Sequence, residues 1–124
     1  DITIMASGFT VSESVNAAKM LEADGISARV VDMFTIKPID REIIIESALK
    51  TGAILTVENH NVIGGLGSAV SEVLSENCPT LLKRMGVNEE FGEVGAQDYL
   101  ADRYKLTAKY IYEESKNLLK KKAK

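Results

Sequence analysis

The sequence has 124 residues, enough for one domain of ordinary size and too few for a second with its own core. Its 45% hydrophobic and 27% charged residues describe a folded globular chain, not a disordered one. One cysteine, Cys78, excludes an internal disulfide framework, and one histidine, His60, leaves no Cys/His set able to enclose a structural zinc, so a reducing, cytoplasmic setting is expected.

Charge is unevenly distributed. Of 15 Lys and Arg residues, five (Lys116, Lys120, Lys121, Lys122 and Lys124) lie in the last nine positions; the first 115 residues carry 10 basic against 18 acidic groups, a net of −8. Such a body repels a phosphate backbone, so a nucleic-acid partner is not expected. The terminal lysines are read as complementing the negative pole of a helix, in preference to a docking tail for acidic partners. No apolar run approaches the roughly 20 residues of a membrane span, and no basic-then-apolar leader opens the chain. The sequence begins in a strand-like run without an initiator methionine, as a piece of a longer polypeptide would.

In chain order, Ile2 to Ala6 reads as a buried strand. Thr10 with Glu13 three residues on forms a capping box, opening a helix with Val11, Val15, Ala18 and Leu21 on one face and Gly25 as its left-handed stop. Ile26 to Val31 is a second strand. After the extended Lys37-Pro38 step, Asp40 caps a helix that turns Ile44, Ile45, Ala48 and Leu49 inward, stapled by Ile39 and Ile44 and ended by Gly52.

Ala53 to Val57 is a third strand, Glu58 to Gly65 a loop, and Leu66, Ala69, Val70, Val73 and Leu74 one face of a third helix broken by Cys78-Pro79. Thr80 to Met85 is a fourth strand whose Lys83 and Arg84 suit an edge position. Residues 86–95 read as irregular and Gln97 to Tyr104 as a short helix. Thr107 caps a last helix with Ala108, Ile111, Ser115 and Leu118 inward and Leu106 stapled to Ile111. Alternating strands and helices demand right-handed crossovers and a mainly parallel sheet. The expectation is a three-layer α/β/α sandwich of about five strands, forming a single domain over residues 1–124.

Ligands of such folds collect at the carboxyl ends of the strands, which directs attention to Ser7 to Thr10, Asp32 to Asp40 and Glu58 to Gly67. Gly64-Gly65-Leu66-Gly67-Ser68 could cradle a phosphate at a helix amino end, making the chain a stand-alone anion or nucleotide module. The string fails the dinucleotide fingerprint, because Val70 stands where the third glycine belongs, and it lacks the P-loop ending. Close seating of a helix on the sheet explains the glycines better. His60 could be a general acid or base, since the unperturbed pKa of histidine suits neutral pH and Glu58 is near in sequence, but a lone loop histidine more often caps backbone or lines an interface. Cys78 has no basic neighbour to make it a thiolate, and Glu89, Glu90 and Glu93 read as a solvated acidic loop more readily than as paired glycosidase carboxylates. No nucleophile, base and orienter assemble from these residues.

The wording of three stretches adds what periodicity cannot. Val31 to Asp40 (VDMFTIKPID), Val57 to Val70 (VENHNVIGGLGSAV) and Phe91-Gly92-Glu93, together with Ile4-Met5-Ala6-Ser7-Gly8 and Tyr104-Lys105-Leu106-Thr107, resemble the C-terminal domain of transketolase. The likeness covers essentially the whole chain. The Glu58 to Gly67 string is closer to transketolase than to the pyruvate dehydrogenase beta subunit or deoxyxylulose phosphate synthase. The resemblance implies a part of a cytoplasmic transferase that moves two-carbon ketol units between sugar phosphates, as in pentose phosphate metabolism. It also implies thiamine diphosphate and a divalent metal held by other domains or by an N-terminal subunit, within a homodimer. No catalytic, cofactor or metal residue of that family has a counterpart here. The domain's implied task is structural, with His60, Asn61, Gly64, Gly65, Gly67 and Phe91 as candidates for interface or ligand contacts.

Overall fold

The structure, a computed structural model, describes residues 1–33, 40–61, 65–87 and 107–122, apart from the side chains of 59–61 and 87. In order these form β1 (Ile2–Ala6), α1 (Thr10–Ala23), β2 (Ala28–Asp32), α2 (Arg41–Thr51), β3 (Ala53–Asn61), α3 (Leu66–Asn77), β4 (Leu81–Val87) and α4 (Ala108–Lys122). All strand pairs are parallel and the sheet order is β2-β1-β3-β4. Four strands are present among the described residues where about five were expected; the short helix expected at Gln97 to Tyr104 and both staple partners, Ile39 and Leu106, lie outside those residues.

The order explains the layering. From β1 the chain steps to one side through α1, then returns across β1 through α2, and right-handed crossovers in opposite directions must use opposite faces. Accordingly α1 and α4 cover Ile2, Ile4, Ala6, Ala53, Leu55 and Val57, while α2 and α3 cover Met5 and Ile54 on the other face. Both central strands are therefore covered on each side, and every residue of β1 is buried. The three-layer α/β sandwich with a parallel sheet is the expected architecture. Gly25 and Gly52 adopt φ of +78° and +70°, left-handed positions that stop α1 and α2. Asp40 caps α2 by accepting from the Ile43 N–H at 3.1 Å.

Three local expectations are corrected. The capping box at α1 is absent: the Thr10 hydroxyl faces the Ser7 and Val57 carbonyl oxygens, and Glu13 accepts from the Ala108 N–H at 3.3 Å. Glu13 thus caps α4, far along the chain, because α1 and α4 lie side by side. The buried face of α1 is Thr10, Ser14, Ala17 and Leu21, and Val15 is 40% exposed. Small residues on that face let the helix sit close to the sheet, with the Ser14 hydroxyl satisfied by the Thr10 carbonyl at 2.7 Å. In α2, Ile44, Ser47 and Ala48 face inward while Leu49 is 74% exposed, one position beyond the buried stripe.

β3 also runs past the expected Val57 to Asn61, so Glu58 to Asn61 extend a strand instead of opening a loop; pairing with β4 is irregular between Val57 and Asn61. On the α1/α4 side, Lys122 donates to the Asp1 carbonyl at 2.9 Å and Lys116 to Asp24 at 3.3 Å. The Tyr112 hydroxyl also bonds Asp24, and these two donors hold its carboxyl below the usual carboxylate range. Two of the five terminal lysines, Lys116 and Lys122, are thus tied to other parts of the fold. No described helix is long and apolar enough to cross a membrane.

Candidate functional site

In a sheet ordered 2-1-3-4 the crevice between β1 and β3, at their carboxyl ends, is where a ligand would enter. Here that crevice is stitched by the protein itself. The Ser7 N–H donates to the Val57 carbonyl at 3.2 Å, and the Thr10 hydroxyl lies 3.0 Å from the same carbonyl oxygen while also bonding the Ser7 carbonyl. Thr10 is fully buried. The turn that brings it there needs Gly8 at φ +63°, a conformation an L side chain resists.

The second element is Glu58. Along β3 the side chains of Ile54, Thr56 and Glu58 alternate onto the α2/α3 face, so the carboxylate is carried inward by strand periodicity. It is completely buried. A charge in that position demands partners, and α3 supplies them: the Leu66 N–H donates to Oε2 at 2.6 Å and the Gly67 N–H to Oε1 at 3.1 Å. These are first-turn donors with no partner inside the helix, at the pole that attracts negative charge. The N-cap residue, Gly65, contributes no side chain, so Glu58 performs that task from the neighbouring strand.

Gly67 shows why the glycine string is there. A Cβ on it would lie 2.8 Å from Cγ and Cδ of Arg84 and 3.0 Å from Oγ1 of Thr56. The helix therefore starts close against β3 and β4, and a side chain at residue 67 would force Arg84 to shift. For the phosphate-cradle reading the same geometry means that two amide donors of the turn, those of Leu66 and Gly67, are taken by the chain's own carboxylate, while Gly64 lies outside the described residues.

The predicted site residues divide accordingly. Gly65 and Gly67 are at the start of α3, beside Glu58. His60 and Asn61 are in β3 by backbone, with side chains outside the described set; Gly64, Phe91 and the acidic loop of Glu89, Glu90 and Glu93 also lie outside it. Cys78 is half-buried against the α2/α3 core, with the Thr80 hydroxyl 3.9 Å from its sulfur. Among the described residues no three His, Cys, Asp or Glu side chains converge as metal ligands. Three positions escaped the sequence reading: Glu58 as a cap, Thr10 as a crevice lock and Arg84 as the roof over Gly67. The available signal for Glu58 was its place in the two-residue alternation that follows Ile54.

Residues 1–111 match the family model described as "Transketolase, C-terminal domain". The chain is 49% identical over 122 residues to the 6-deoxy-6-sulfo-D-fructose transketolase subunit SqwH of Clostridium sp. (strain MSTE9), covering 98% of this chain and 38% of that protein. It is 40% identical over 119 residues to 1-deoxy-D-xylulose-5-phosphate synthase of Heliobacterium modesticaldum, covering 95% of this chain and 18% of that one. A split-gene transketolase solved as an inactive beta4 tetramer superposes with a TM-score of 0.91 at 52% identity, over 97% of this chain and 39% of that one. The chain thus spans less than two fifths of the length of these relatives. With that match over nine tenths of its length and the parallel sandwich beneath it, the chain belongs to the transketolase C-terminal domain family.

Proposed function

We propose that the chain serves as the C-terminal part of a transketolase, a support against which cofactor-bearing domains or a separate subunit assemble, with no catalytic residue of its own. The observation that carries this reading is Glu58: the helix amino end best placed to take an anionic cofactor or substrate is filled, fully buried, by a carboxylate of the same chain. The crevice at β1 and β3 is closed in the same way by Thr10. Thiamine diphosphate and a divalent metal, which the resemblance implies for the intact enzyme, do not fit the described residues. A diphosphate would meet the Glu58 charge, and no three metal ligands converge. Those groups belong to the other domains in this reading, and no chemical step is assigned to this chain.

Ketol transfer is the activity favoured by the Glu58 to Gly67 string and by relatives named as transketolase subunits; sugar-phosphate substrates, a cytoplasmic location and a homodimeric enzyme are what the family resemblance implies. A deoxyxylulose phosphate synthase is the second reading, favoured by the 40% identity to the Heliobacterium protein. Contacts to the partner domains are assigned to the connection holding His60, Asn61, Gly64, Gly65 and Gly67, and to Phe91. Co-expressing the chain with the remaining region of its enzyme tests the proposal. Ketol transfer that requires both pieces, and that survives substitution of His60 by Gln, is expected. Turnover of a sugar phosphate by this chain alone contradicts it.

A further inference from the structure

Arg84 stands on β4, at the edge of the described sheet, opposite Thr56 of β3 in the parallel register. Paired residues of neighbouring strands point to one face, so the Arg84 side chain leaves the sheet on the α2/α3 side, over the start of α3. Its stem is held there. Cγ and Cδ lie 2.8 Å from the point a Cβ on Gly67 would occupy, so they fill the space that this glycine leaves. The residue is nonetheless exposed: the stem packs while the guanidinium reaches solvent.

The guanidinium has little to bind within the chain. Nη1 lies 3.5 Å from the Ser68 Oγ, a long contact that leaves the other donors of the fork open. Among the described residues no carboxylate pairs with it, although the body of the chain is acidic. Other cations of the fold do find carboxylates: Lys83, its neighbour on β4, lies 3.9 Å from Glu114, and Arg29 lies 3.5 Å from Glu46. Arg84 thus combines an ordered stem with an open planar fork. Such a group can bind a carboxylate with little further loss of rotamer freedom.

We propose that Arg84 receives a carboxylate side chain presented by the cofactor-bearing domains or subunit, and is the charged anchor of the contact assigned above to Gly65 and Gly67. The inference rests on the assembly role proposed for the chain and names the chemistry of the partner surface. Position supports it, because Gly67 lies under the arginine stem and Gly65 is the N-cap of the same helix. The donors select a carboxylate over a phosphate. A phosphate at a helix start draws on the first-turn amides, and those of Leu66 and Gly67 are bonded to Glu58. A planar carboxylate needs only the fork, which it meets with two parallel hydrogen bonds. Arginine is also among the residue types that concentrate binding energy at protein interfaces.

The test is isothermal titration of the remaining region of the enzyme into wild-type, Arg84→Lys and Arg84→Gln chains, at low and high salt and with inorganic phosphate as competitor. Glutamine keeps the Cγ and Cδ that cover Gly67, and lysine keeps the charge as well, so urea midpoints should not move. The Kd should rise about tenfold or more for Arg84→Gln and by less for Arg84→Lys, and the Gln variant should lose part of the salt dependence. If Arg84→Gln lowers the urea midpoint, Arg84→Lys decides the matter through the loss of the fork alone. Affinity indifferent to the folded variants overturns the proposal. Displacement by phosphate beyond that of chloride at equal ionic strength overturns the carboxylate assignment. A wild-type chain that does not associate at all gives a distinct result, since it refutes the assembly role and this inference with it.

Discussion

Replacing Glu58 by alanine should unfold the start of α3 before any other part of the domain. The substitution leaves the Leu66 and Gly67 N–H groups without their acceptor in a fully buried position. An abandoned buried donor costs about 1–3 kcal/mol, and two of them give a loss of about 2–4 kcal/mol once relief from burying the carboxylate is subtracted. Glu58→Gln keeps the shape and one acceptor, but its NH₂ group meets the second amide donor and the charge facing the helix pole is gone. The cost should be about 1–2 kcal/mol. Urea titration followed by circular dichroism gives the order wild type, Gln, Ala, with an unchanged slope and midpoints falling in proportion. Thermal midpoints should drop by about 3–5 °C for each kcal/mol in a domain of this size. An alanine variant within about 0.5 kcal/mol of wild type would refute the reasoning, since a surface substitution does no more. That result would mean the carboxylate is not what satisfies α3.

Further outcomes follow from neighbouring geometry. Gly67→Ala gains helix propensity but presses its methyl group against Arg84 and Thr56; a net loss of about 1 kcal/mol is expected, reduced when Arg84→Ala is added, and a double-mutant cycle in urea measures the coupling. Leu49→Gln should change stability by less than about 0.5 kcal/mol, since Leu49 is 74% exposed; a loss comparable to a core deletion would restore the inward assignment of that residue. Asp24 titrates below its ordinary value in the folded state through Tyr112 and Lys116, so its stabilisation is present above the unfolded-state carboxylate pKa of about 3.8. It is lost as pH falls through the lower folded pKa. The advantage of wild type over Asp24→Asn should accordingly be constant near neutrality and vanish in acid, read from urea midpoints across pH; an advantage that persists at the acid limit contradicts it.

Much of the fold is written in short-range pattern. The switch between strand runs and helical spacing, the glycine stops at Gly25 and Gly52 and the Asp40 cap are local, and each survives in the structure. What the sequence concealed was long-range. Glu13 looks like half of a capping box because Thr10 stands three residues before it, yet it serves Ala108 once α1 and α4 become neighbours. Thr10 looks like a cap and instead locks β1 to β3. Val15 looks like core because the helix carries two apolar stripes, and periodicity cannot choose between them; the smaller residues win the sheet side by allowing closer approach. At the candidate site the glycine string was visible as a helix start, whereas its anion was not, because Glu58 reads as a loop residue until β3 is known to continue past Val57.

The central claim is that this domain supports a thiamine enzyme without itself binding what the chemistry needs. Isothermal titration of thiamine diphosphate with magnesium into the isolated chain tests it most directly. The account predicts no heat of binding for wild type. Saturable, stoichiometric binding at micromolar concentrations would contradict it, because among the described residues the start of α3 is filled by the buried Glu58 carboxylate and the β1/β3 crevice is closed by Thr10.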